Sequence, residues 1–140
     1  AFSHSCCALG RRLLLKVQDV MHEGNRIPMV KKGTRLGEAL LEMTRKGLGM
    51  TSIIDDNNVV IGIFTDGDLR RALDHGVDPH NTTIDDVMTI KCTTITPEIL
   101  AAEALKIMDD RKINALICVD EHRHAVGAIN MHDLLKAGVV

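Results

Sequence analysis

The sequence predicts an α+β protein built from two pseudo-symmetric β-α-β-β-α units packed sheet to sheet. Two observations lead there. The 140-residue chain repeats itself at a nearly constant offset. Within each copy, an apolar stripe at helical spacing gives way to two short apolar runs joined by an acidic turn. A lone copy of about 60 residues is too small to bury a sufficient core, so the copies are expected to share one.

The repeat is read residue by residue. Val17-Gln18-Asp19-Val20-Met21 matches Ile84-Asp85-Asp86-Val87-Met88, with Met21 standing 67 positions before Met88. From Glu38-Ala39-Leu40, matching Glu103-Ala104-Leu105, the offset settles at 65 and holds through Met43 and Met108, Asp55 and Asp120, Gly62 and Gly127, and Asp68 and Asp133. The units are expected at 17–75 and 84–138, with a short polar connection between them. Residues 1–16 form a basic linker with a short helix through Leu9 to Lys16.

Each unit is expected to open with a strand. Leu36, Ala39, Leu40 and Met43 then recur at helical spacing, as do Ala101, Ala104, Leu105 and Met108. Thr34 and Thr96 stand where N-caps would stand, and Pro97 suits a first helical turn. Two hairpins follow. Thr51 to Ile54 returns as Val59 to Phe64 around Asp55-Asp56-Asn57-Asn58, and Leu116 to Val119 returns as Ala125 to Ile129. Final helices run from Asp66 to Leu73 and from Met131 to Ala137.

Composition narrows the function. Seventeen Lys and Arg against nineteen Asp and Glu leave a net charge of −2, which argues against a general nucleic-acid binder. No Trp or Tyr is available to stack bases. No apolar stretch is long enough to span a bilayer, so no membrane role is expected. Cys6, Cys7, Cys92 and Cys118 make no disulfide pattern, and neither they nor the seven histidines stand at zinc-ligand spacing. No metal and no resident cofactor are expected, and the setting is expected to be the reducing cytoplasm.

The chemistry concentrates at Gly62-Ile63-Phe64-Thr65-Asp66-Gly67-Asp68, where a hairpin closes and a helix opens. A helix start favours a phosphate, and a carboxylate can accept from paired sugar hydroxyls. Thr65 and Asp68 also form an ordinary capping box. Arg70 and Arg71 follow on the same helix and suit a phosphate or carboxylate. The second copy reads Gly127-Ala128-Ile129-Asn130-Met131-His132-Asp133, with Asn130 in the hydroxyl position.

This duplicated motif resembles a tandem pair of cystathionine β-synthase (CBS) domains over roughly residues 17 to 138. Three further stretches, Ala8 to Leu15, Asp19-Val20-Met21-His22 and Thr65 to Arg71, together with the ending Met131 to Val140, resemble the C-terminal regulatory part of the arabinose 5-phosphate isomerases. Those enzymes interconvert ribulose 5-phosphate and arabinose 5-phosphate for Kdo, hence lipopolysaccharide or capsule, synthesis. The resemblance places His4 at the family's active-site histidine, but Ser5-Cys6-Cys7 replaces the usual Pro-Gly-Gly, and no catalytic residue is expected to work without the isomerase domain.

The resemblance implies a first cleft lined by Asn25, Ile27, Pro28, Met29, Thr51, Ser52, Thr65, Asp66 and Asp68, with Arg70 and Arg71 beside it. The second is implied at Cys92 to Thr94, Asn114, Ala115, Asn130, His132 and Asp133. The implied ligand is a nucleotide-type effector, AMP or ATP, or CMP-Kdo as a pathway end product. The alternative is a ligand-free module that only holds isomerase subunits together. A homodimer of the isolated chain and a tetramer of the full-length enzyme are the expected assemblies.

Overall fold

The computed structural model describes residues 14–90 and 92–139. Among the described residues there are two three-stranded sheets and four α-helices. The first unit runs β1 (Met29–Lys31), α1 (Leu36–Lys46), β2 (Met50–Ile54), β3 (Val60–Thr65) and α2 (Asp66–Asp74). The second runs β4 (Thr94–Ile95), α3 (Ala101–Arg111), β5 (Ala115–Val119), β6 (Ala125–Asn130) and α4 (Met131–Lys136).

The registers repeat along with the sequence. β1 lies parallel to β2, and β2 pairs antiparallel with β3, with Met50 opposite Thr65. β4 lies parallel to β5, and β5 pairs antiparallel with β6, with Ala115 opposite Asn130. Each hairpin carries a register shift at the same place, Ile53/Ile54 and Cys118/Val119.

Alternation along the strands builds the layers. Met50 and Ile54 meet Ala115, Ile117 and Val119 in a core between the two sheets. The opposite faces meet helices. Ile53 and Phe64 pack with Leu36, Ala39 and Met43, while Leu116 and Cys118 pack with Ala101, Ala104 and Met108. The expected hairpin strands and the final helices agree with the observed ones to within a residue or two, and three differences stand out.

The N-caps differ. Arg35 and Leu100, not Thr34 and Thr96, precede the first helical residues. Backbone carbonyls from elsewhere satisfy the helix N–H groups: Leu36 donates to Thr82 (2.8 Å), Gly37 to Pro79 (3.0 Å) and Ala101 to Leu15 (2.8 Å). With those donors taken, no side-chain cap is needed, and Pro97 lies in the turn before α3. The connection between the units therefore holds the start of α1 instead of merely linking.

The expected helix through Leu9 to Lys16 falls largely outside the described residues. Its described end is not helical, because Lys16 forms a bridge with Leu100.

The third difference is an exchange. The entry segment of each unit docks on the other unit. Val17 is buried in the helix-side core of the second unit, and Ile84 in that of the first. His22 and Ala128 exchange both backbone hydrogen bonds (2.8 and 3.0 Å). Thr89 and Ile63 do the same at the equivalent place (2.8 and 3.0 Å).

Candidate functional site

Both motif helices begin beside one groove of about 670 Å³. Its walls come in equivalent pairs across the pseudo-dyad. Gly47-Leu48-Gly49 faces Lys112-Ile113-Asn114, and Thr65-Asp66-Gly67 faces Asn130-Met131-His132. Arg71, Ala115 and Leu135 complete the lining.

Local structure places these groups. Thr65 is the N-cap of α2: its hydroxyl accepts from the Asp68 N–H (3.2 Å), while the Asp68 carboxylate accepts from the Thr65 N–H (3.0 Å). Asn130 does the same for α4 with Asp133, at 2.8 and 2.9 Å, so Asn substitutes fully for Thr as a cap. The strand entrances fix the next N–H on each helix, with Asp66 donating to the Gly49 carbonyl and Met131 to the Asn114 carbonyl.

The chemistry of the groove is mixed. Arg71 and Lys112 supply cationic side chains, His132 a titratable ring and Asp66 one carboxylate. Arg71 also pairs with Asp68 Oδ1 at 2.5 Å while its side chain stays largely exposed.

The two motif carboxylates point elsewhere and are already engaged. Besides Arg71, the Thr89 hydroxyl lies 3.3 Å from Asp68 Oδ1. Asp68 opens onto a recess of about 220 Å³ with Arg71, Ala72, His75, Val77 and Val87. Asp133 Oδ1 is met by His22 Nε2 at 2.9 Å. His22 is half-buried and held by a carboxylate 111 positions away.

The expected site residues thus separate. Thr65, Asp66, Arg71, Asn114, Ala115, Asn130 and His132 come together at the groove. Asp68 sits at the recess and Asp133 against His22. Asn25 is exposed in a 3₁₀ turn, and Arg70 is exposed on α2.

Ile27, Pro28, Met29, Thr51 and Ser52 spend their polar groups inside the first unit. The Ser52 hydroxyl donates to the Pro28 carbonyl (2.7 Å), and the Thr51 hydroxyl donates to the Ser52 carbonyl (3.2 Å). Lys46 reaches the Ile27 carbonyl, and the Met29 N–H donates to Glu42 (3.0 Å). Thr94 lies in β4, its Cα paired with Ile117. Cys92 packs against the inter-sheet core, where burial pushes its thiol pKa up against the opposing pull of Arg123. His4 lies outside the described residues.

Sequence reasoning missed Gly47, Leu48, Gly49, Ile113 and Leu135 of the groove, and Lys112 is the charged residue among those missed. A signal for it exists. It aligns with Gly47, the C-cap of α1 at φ +71°, yet it takes φ +55° without being glycine. A lysine held in the left-handed region at a repeat position occupied by glycine points to a site worth inspecting.

Among the described residues, no three His, Cys, Asp or Glu side chains are grouped to hold a metal ion, and no helix is long and apolar enough to cross a membrane. Burial pushes the Cys118 thiol to about 12, so it packs as a small apolar group.

Fold and groove together define a duplicated β-α-β-β-α pair whose two motifs meet at one cleft. The chain belongs to the CBS domain family, whose sequence model matches residues 17–75 and 84–140. Arabinose 5-phosphate isomerase KdsD of Pseudomonas aeruginosa is 64% identical over all 140 residues. The chain spans 43% of that relative's length and matches its C-terminal part. Among solved structures, the CBS domain pair of protein MJ0100, in complex with 5′-methylthioadenosine and S-adenosyl-L-methionine, superposes with a TM-score of 0.78 at 20% identity, covering 88% of this chain and 94% of that one. CBSX2 of Arabidopsis thaliana, in complex with AMP, gives 0.75 at 21% identity, covering 89% and 96%.

Proposed function

We propose that this pair is the effector-sensing part of a cytoplasmic arabinose 5-phosphate isomerase and binds a nucleotide-type ligand. The carrying observation is the groove, where residues from both motifs converge with Arg71, Lys112 and His132. Guanidinium and ammonium groups match a phosphate or a sugar-acid carboxylate. Arg71 lines both the groove and the recess at Asp68, and Asp68 and Asp133, outside the groove lining, are the motif carboxylates that sugar hydroxyls would use. AMP and ATP are candidates because fold relatives are described with adenosine ligands. CMP-Kdo is the candidate for feedback on an enzyme that opens Kdo synthesis. The isomerase activity belongs to the rest of the parent enzyme.

A thermal-shift screen with AMP, ATP, CMP and CMP-Kdo tests the reading. A ligand at 100 times its Kd stabilises by roughly 2.7 kcal/mol. Identical melting curves with all four would reject an effector role. They would favour the second reading, a module that only joins isomerase subunits. That reading draws support from Leu73 and Leu135, which stay about half exposed on α2 and α4.

A further inference from the structure

We propose that His22 is a built-in occupant of the second motif, holding the Asp133 carboxylate so that an effector hydroxyl gains it only by displacing the imidazole. The inference rests on the effector reading above and adds a gate to it.

The repeat makes the argument. His22 and Thr89 follow the two Asp-Val-Met segments at equivalent positions, and each crosses to the sheet of the other unit through the same pair of backbone bonds. Each then presents its side chain to the motif carboxylate there, His22 to Asp133 and Thr89 to Asp68. The backbone arrangement is shared, so the side chains make the difference. The threonine lies 3.3 and 3.4 Å from the Asp68 oxygens, weak geometry for a hydroxyl donor. The imidazole lies 2.9 Å from Asp133, a full hydrogen bond between side chains that are 26% and 14% exposed.

Asp133 Oδ2 is already committed to the Asn130 N–H, so Oδ1 is the oxygen a sugar hydroxyl would claim. His22 holds that oxygen. Asp68 is engaged as well, Oδ2 by the Thr65 N–H and Oδ1 by Arg71, but its Arg71 partner is largely exposed, Thr89 is only loosely placed, and the carboxylate borders an open recess. The first motif is therefore covered by a largely exposed side chain of its own helix, and the second by a half-buried side chain of the first unit's entry segment. When the imidazole leaves, the short segment from Val17 to His22 loses one of its anchors on the second unit. That segment leads directly to Lys16 and Leu15, which hold Leu100 and Ala101.

The test is calorimetric titration of the 140-residue chain with AMP and with CMP, in wild type, His22→Ala and His22→Thr. The threonine variant copies the side chain of the first motif and guards against a packing loss in the alanine variant. The gate predicts about tenfold tighter binding, or a second binding event, in both variants, from releasing one charge-assisted hydrogen bond. Adding Asp133→Asn to either variant should abolish the gain. Binding to wild type that neither His22 variant strengthens would overturn the gate alone. No binding to any of the proteins would overturn the gate together with the effector reading beneath it.

Discussion

Met21 lies over Gly127 so closely that a Cβ on that glycine would strike the methionine thioether. Met88 stands over Gly62 in the same way. The motif glycines therefore serve the crossing of the two entry segments. Both glycines have ordinary backbone conformation, so lack of space and not strain requires them.

The two sites differ in what a new methyl group would meet. At Gly62 it would lie 2.7 Å from the Met88 sulfur and 3.0 Å from the Thr89 carbonyl oxygen, a backbone atom. At Gly127 the three nearest atoms would all belong to the flexible Met21 side chain. Gly62→Ala should cost about 1–3 kcal/mol in urea unfolding, and Gly127→Ala less. Met21→Ala should relieve Gly127→Ala in a double-mutant cycle, whereas Met88→Ala should relieve Gly62→Ala only in part. Equal costs and equal rescue would contradict the contact geometry.

Glu42 gives a pH signature. Burial alone would raise its pKa, but the Met29 N–H, Lys46 and Arg45 outweigh that and hold it below the usual carboxylate range. A lowered folded value means stability that is present above the unfolded value of 4.5 and lost as pH falls through the folded one. Glu42→Gln should destabilise by about 1–2 kcal/mol near neutrality. Denaturant melts should show that deficit shrinking only below pH 4.5. A deficit constant down to pH 3 would rule out the ionised carboxylate as its source.

Neither half should fold alone. The inter-sheet core draws Met50, Ile54 and Val60 from one unit and Ala115, Ile117 and Val119 from the other. Residues 17–75 would also lack Ile84, which fills the helix-side core of the first unit. Expressed separately, that half should aggregate or give a poorly dispersed NMR spectrum. A dispersed, monomeric spectrum would show that the shared core is dispensable.

Effector binding should be unequal between the motifs. Asp68→Ala should weaken nucleotide binding roughly ten- to hundredfold, as expected when a carboxylate that accepts hydroxyl hydrogen bonds is lost. Asp133→Ala should do less, because a half-buried imidazole holds that carboxylate while the Arg71 on Asp68 is largely exposed. Both substitutions remove a capping-box partner, so each should also lower stability by about 1 kcal/mol. Comparable losses of affinity in the two variants would reject the first motif as the principal site.

Leu73 and Leu135 mark the helical face expected to join two copies. The double variant Leu73→Arg/Leu135→Arg should convert a dimer to a monomer by light scattering, with the melting profile otherwise retained. A chain that is monomeric before substitution would refute the interface.

The sequence by itself determined the repeat, the class of each element and the motif that opens α2 and α4. These are local properties, carried by period-2 and period-3.6 patterning and by capping chemistry that acts within three residues, as at Thr65 with Asp68. Only the tertiary structure decided which unit each entry segment serves. Val17 and Ile84 look equally suited to either core, and the docking of one unit on the other assigns them crosswise. The same docking divides the expected site, gathering Thr65, Arg71, Asn130 and His132 with Lys112 at the groove while Ser52 turns inward to Pro28. It also brings His22 to Asp133 across 111 positions. Contacts at that separation arise from how two closed surfaces fit, which no periodicity within either surface encodes.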